Sequence, residues 1–176
     1  STAVTISAPG RLLLADAVAG SIHNSGNLQL NPDAPAAGGV VQVGGDYRHN
    51  SGASLILYAG DRLQVAGQAR LNGGVVSVIG KRDYVGMGQS HDIVRASGVS
   101  GQFAALTAPA STVFIDGKLE YRSDAVSLTL NRLDVVATAT ALGSITPASL
   151  GSAQRLEAAF KQLDGQGSPV VVPDGF

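Results

Sequence analysis

Short runs in which apolar and polar residues alternate fill most of the first 140 positions. "TAVTIS" (Thr2–Ser7), "RLLLAD" (Arg11–Asp16), "NLQL" (Asn27–Leu30), "GVVQV" (Gly39–Val43), "ASLILY" (Ala53–Tyr58), "RLQVAG" (Arg62–Gly67) and "GVVSVIG" (Gly74–Gly80) come first. "HDIVRA" (His91–Ala96), "STVFID" (Ser111–Asp116), "KLEYR" (Lys118–Arg122) and "AVSLTL" (Ala125–Leu130) follow. Each alternates or is rich in β-branched residues, and each predicts a short strand. Gly, Asn, Asp, Ser and Pro separate the runs, as turn chemistry requires. One stretch differs. "SAQRLEAAFKQLD" places Ala153, Leu156, Ala159, Phe160 and Leu163 on one face of a helix. Ser152, or earlier Thr146 followed by Pro147, can cap its start, and Gly165 can stop it.

The strand-like runs repeat. "HNSG" occurs at His23–Gly26 and again at His49–Gly52, and "LNGG" at Leu71–Gly74 is a variant. Each is followed by an alternating strand, with Asn24, Asn50 and Asn72 spaced 26 and then 22 residues apart. Periods of this size predict stacked repeats rather than a closed globule. A strand-rich repeat predicts a right-handed parallel β-helix, an all-β solenoid whose coils stack about 4.8 Å apart. Leu28/Leu30, Leu55/Leu57 and Val76/Val78, or their alternates, are the expected inward residues. Roughly six coils, about 30 Å of stack, would fit. The regularity fades after Gly80. Residues 81–92 read as a loop excursion and 93–132 as a capping region. Asp116-Gly117 is the expected turn of a hairpin that covers the open end. The expected organisation is a β-helix over 1–140, a short helix within 141–165 and a linker over 166–176.

Composition supports a thin, uniform core. Hydrophobic residues make up 44% of the chain but aromatics only 5%, with 23 glycines, no Cys and no Trp. A chain this apolar is not disordered. The net charge is −1, and basic residues do not cluster in sequence, so nucleic acid is not an expected partner. No apolar run is long enough for a membrane-spanning helix. The absence of Cys excludes disulfides and thiolate chemistry.

Four segments, in order, resemble one family. "GDYRHNSGASLILYAGDRLQVAGQARLNGGVVSV" (Gly45–Val78) is similar to the coil pattern of autotransporter passengers, the surface-exposed segments of Gram-negative type V secretion. "GVSGQF" (Gly98–Phe103), "LEYRSDAVSLTLNR" (Leu119–Arg132) and the helix "AQRLEAAFKQLD" resemble the end of such a passenger, just before its outer-membrane barrel. The group that includes subtilisin-like proteases is one arrangement among such relatives. The resemblance implies a stalk at the cell surface and an autochaperone-like folding nucleus, with no catalysis in this segment and no cofactor. Its partners would be the N-terminal passenger and the C-terminal β-barrel of the same polypeptide. The residues implied to matter are structural: Gly98, Gly101 and Phe103, then Leu119, Tyr121, Val126, Leu128 and Leu130.

Other chemistry is weaker. His23 and His49 could share a metal across coils, but converging carboxylates are missing from both copies. The histidines are expected as exposed turn residues, with Asn24/Gly26 and Asn50/Gly52 the residues the fold needs. Ser90-His91-Asp92 has the residue types of a hydrolase triad, but neighbours on a strand point to opposite faces. "GMGQS" (Gly86–Ser90) lacks the lysine of a phosphate loop. A β-helical polysaccharide-degrading enzyme would need paired carboxylates, for which Asp46 and Asp61 are the candidates. An adhesin or carbohydrate-binding module is the other alternative.

Overall fold

The computed structural model of the chain describes residues 2–31, 39–82, 85–108, 115–134, 136–137, 140 and 146–165. Two compact units divide it, Ser1–Arg132 and Leu133–Phe176. In the first, the described residues form three sheets that the chain visits in turn. The first sheet holds β1 (Ala3–Ile6), β4 (Ser21–Asn24), β7 (Tyr47–His49), β10 (Gln68–Asn72) and β13 (Gly98–Gln102). The second holds β2 (Arg11–Leu14), β5 (Asn27–Leu30), β8 (Ser54–Ala59), β11 (Val75–Lys81) and β14 (Ala105–Thr107). The third holds β3 (Ala17–Val18), β6 (Val40–Val43), β9 (Arg62–Val65) and β12 (Ser90–Arg95), then β16 (Ala125–Arg132) and β15 (Ile115–Tyr121) at its edge. Strands three apart in sequence pair in parallel, which is consistent with a β-helix-like fold. The first sheet contains five passes, where repeat length suggested roughly six.

Register explains the core. Leu12, Leu28, Leu55, Val76 and Leu106 pair in sequence across the second sheet and form one inward column. Leu28, Leu55 and Val76 are fully buried, as are Leu30 and Leu57; Val78 is nearly so. On the third sheet Val41 pairs with Leu63, and Leu63 with Val94. The inward side chains of all three sheets meet in one hydrophobic cluster. Each large inward residue lies on another of similar size, so medium aliphatic residues suffice and aromatics are scarce.

The repeated word "HNSG" is not structurally equivalent in its two copies. Asn24, not His23, pairs with His49, while Asn27 pairs with Ser54. The second copy therefore spends two more residues in its turn. Side chains alternate along a strand, so this shift turns His49 inward and His23 outward. His49 is fully buried, which corrects its expected place as an exposed turn residue.

Three further expectations change. Asp116-Gly117 is not a turn. Both residues lie inside β15, where Gly117 pairs with Leu130, and the connection to β16 falls at residues 122–124. A sheet's edge strand tolerates this sequence, and exposed Asp116, Lys118 and Glu120 give the edge a charged surface. The excursion is shorter than 81–92, because Lys81 still belongs to β11 and Ser90 already opens β12. Ser111–Phe114 lie outside the described residues.

In the second unit, α1 (Pro147–Gly165) starts after Thr146, the earlier of the two cap positions considered. Ala153 is buried on it, but Leu156 is half exposed rather than part of a buried face. The side chains of Phe160 and Leu163 lie outside the described residues, as does the linker at 166–176.

Truncating Leu55 to Ala removes a fully buried link of the inward column and is expected to cost about 2–5 kcal/mol. Leu13→Ala, at a position 53% exposed, is expected to change stability by less than about 0.5 kcal/mol. Urea denaturation of both variants checks this; equal losses would contradict the assigned register.

Candidate functional site at the closing end

Parallel strands satisfy one another along a sheet, and many corner groups bond the neighbouring pass too, as the Asn50 N–H does the Asn24 carbonyl (2.9 Å); other corner groups are met by side chains. Between the first and second sheets, inward polar side chains take that role. Asn24, fully buried, accepts the N–H of Gly26 at Oδ1 (3.0 Å). Its Nδ2 donates to the carbonyl of Ser54 on the next pass (3.1 Å). Asn50 Nδ2 donates to Ser25 Oγ (2.8 Å), again one pass away.

His49 repeats the device one pass on. Its Nε2 meets the carbonyl of Ala53 at 3.2 Å. A carbonyl only accepts, so Nε2 carries the proton, and Nδ1 accepts from the Tyr47 hydroxyl at 2.8 Å. Burial pushes the imidazole down from 6.5 to about 4, only partly opposed by the Ala53 bond. Burial likewise pushes the Tyr47 phenol up. Both groups are held neutral. The ring rests against Gly74, whose φ is +73° and where an added Cβ would stand 2.4 Å from Nε2.

The closing segment docks on this histidine. Phe103 meets the His49 ring edge-on, with centroids 4.9 Å apart and an interplanar angle of 76°. The Phe103 N–H in turn donates to the Tyr121 hydroxyl on β15 (3.1 Å). Gly101, two residues earlier, has φ +75°, and a Cβ there would lie 2.0 Å from the Leu71 carbonyl oxygen. Only glycine fits both the conformation and the approach. Val126, Leu128 and Leu130 of β16 are buried in the core, while Leu119 and Tyr121 pack against it half-buried. Gly98 opens β13 beside Gln68; its added Cβ would press on that flexible side chain. The eight residues singled out in the sequence thus occupy the last passes of the first unit, and Phe103 and Tyr121 touch directly.

At the corner between the second and third sheets lies a feature that sequence reading missed. Asp61 is fully buried and forms a two-bond fork with Arg82, Nε and one terminal nitrogen each at 3.0 Å. Asp61 also accepts the N–H of Tyr58 (3.1 Å) and of Gly39 (3.4 Å). Arg82 reaches the Asn31 carbonyl (3.2 Å) and stacks over the Tyr58 ring, 4.3 Å from its centroid. One ion pair therefore ties three successive passes together. Nothing in the polar string "GKRDY" distinguishes Arg82 from its exposed neighbour Lys81.

The other candidates separate. Asp46 lies before β7, where its Oδ1 accepts the N–H of Gln68 (2.8 Å); Asp61 lies at a different corner, engaged with Arg82. They do not form an acid–base pair. Ser90, His91 and Asp92 lie on β12, and Asp92 is held by Arg122 and by Ser127 Oγ (2.7 Å) rather than by His91. Among the described residues no three His, Asp or Glu side chains converge as metal ligands. Compared with known proteins, the chain matches no family model and no curated protein.

Because the folded imidazole titrates below its unfolded value, the unfolded chain binds the extra proton first as pH falls. The stability that neutral His49 supports is present above about 6.5 and is lost between about 6.5 and 4, on the order of 3 kcal/mol. His49→Leu is expected to be less stable at pH 7 but to lose this slope. Denaturation midpoints at several pH values check it, and an unchanged slope would exclude His49 as its source. Gly101→Ala is expected to cost about 2 kcal/mol or more, with melting temperature as the readout. Asp61→Asn, which removes the carboxylate charge facing the buried Arg82 guanidinium, is expected to cost about 3–5 kcal/mol, read in the same melting experiment.

Proposed function

We propose that the chain is a right-handed parallel β-helix that serves as the stalk and folding nucleus of an autotransporter passenger at the Gram-negative cell surface. One observation carries the reading. The parallel passes end in an antiparallel hairpin, β15–β16, that joins the stack through β12 and through the Phe103–Tyr121 bond. Such an end is closed on one side and offers a finished template on the other. Nearest-neighbour stacking makes each added pass cheaper once a stable terminal unit exists. Right-handedness follows the general rule for strand-to-parallel-strand crossovers. The ordered motifs at Gly45–Val78, Gly98–Phe103 and Leu119–Arg132 support the family assignment. In this reading the N-terminal passenger and the C-terminal barrel of the same polypeptide are the partners, and this segment contributes no catalysis.

Removing residues 98–132 from the natural polypeptide is expected to leave secretion competent in its barrel but to abolish folded, protease-resistant passenger at the surface. Gly101→Val should reduce the same yield without deleting anything. Surface yield equal to the natural protein's in both variants would overturn the proposal.

A further inference from the structure

The outward face of the first sheet carries a feature that a stalk does not require. Register sets His23 opposite Arg48 and Arg48 opposite Arg70, with Thr5 and Ser100 at the two ends of the same column. Successive strands are about 4.8 Å apart, so an imidazole and two guanidiniums stand in line across the sheet. Arg48 and Arg70 are both exposed. Like charges at directly paired positions repel. Among the described residues neither arginine has a carboxylate partner to neutralise it. Asp46, two residues before Arg48, already binds the Gln68 N–H. The chain's net charge is −1, so this alignment does not reflect a generally basic surface.

We propose that this column is a binding strip for an anionic polysaccharide, with its acidic groups seated on Arg48 and Arg70 and its backbone lying across the strands. Charges repeated along a line at strand spacing suit a linear polymer that bears an anion on each sugar. A guanidinium grips a carboxylate or a sulfate through two parallel N–H bonds. Exposed Asn72 and Gln102, paired with each other along the same face, offer amides to sugar hydroxyls. Single-stranded nucleic acid is held by a positively charged groove together with aromatic rings on which its bases stack. The aromatic residue of β7, Tyr47, points inward and is fully buried, so the strip favours a glycan. This inference is independent of the stalk reading, because Arg48 and Arg70, which seat the anions, lie on β7 and β10, outside the 98–132 segment that serves as the nucleus.

The whole chain is titrated against polygalacturonate, which carries carboxylates, dextran sulfate, which carries sulfates, and neutral dextran. Single-stranded DNA is the competing polyanion. Binding to one or both acidic glycans is expected at low ionic strength and is expected to weaken with salt. The double variant Arg48→Gln plus Arg70→Gln should bind about tenfold more weakly or not at all. Lys118→Gln plus Arg155→Gln, which removes the same charge elsewhere, should bind like the natural chain. Because both arginines are exposed, the thermal midpoint of the first double variant should hold or rise. The proposal is overturned by no binding to either acidic glycan, by equal losses in the two double variants, or by DNA binding as tightly through the same arginines.

Discussion

Corner satisfaction is the constraint on which the first unit depends. Parallel strands that stack in register solve the hydrogen-bonding problem along each sheet and at many corner positions, but some backbone groups at the turns still take a side-chain partner. Two inward side chains, Asn24 and His49, fill that role on successive passes by binding the backbone of their own turn or of the next pass. They also fix register, because a slip of one residue would carry a polar group outward and a solvent-facing one in. The arrangement is demanding. A buried amide or imidazole costs free energy unless its partners are in place. What secures His49 is therefore what secures the stack: the Tyr47 hydroxyl, the Ala53 carbonyl, the glycine at position 74 and the ring of Phe103.

That last contact joins the corner to the closing hairpin. Phe103 rests on His49 and hydrogen-bonds Tyr121, so the edge strand β15 is connected to the turn at residues 49–53. Gly101 permits the approach. The Asp61–Arg82 pair plays the corresponding role at another corner, where one carboxylate gathers backbone donors from Tyr58 and Gly39 while its guanidinium reaches Asn31. Burying an ion pair is not in itself a strong source of stability. What it supplies geometrically is a junction, since Asn31, Asp61 and Arg82 come from three successive passes and meet at one point.

Much of the fold was legible because the strands announce themselves by alternation. Spacing puts Leu28, Leu55 and Val76 on one face of their strands, leaving open which face turns inward, and in the fold they are buried in one column. What misled was identity of letters. "HNSG" reads as the same motif twice, yet the register differs by a residue because the second turn is longer, and a strand's period of two converts that single step into a change of face. Asp-Gly signalled a turn at 116–117, but pairing with β16 overrode the local preference. The closing residues were found through the resemblance, not through their chemistry. Arg82 was invisible for a different reason: its partner lies 21 residues earlier in sequence, and nothing local marks an arginine as buried.

If the closing end is the nucleus, it should also be the most stable part of the stack. Native-state hydrogen exchange measures that directly. Amides of β12, β13 and β16, together with that of Phe103, are expected to exchange only through global unfolding, while those of β1 to β3 exchange through smaller openings. Slow exchange confined to the first passes, with the closing strands opening first, would contradict a nucleus at the closing end.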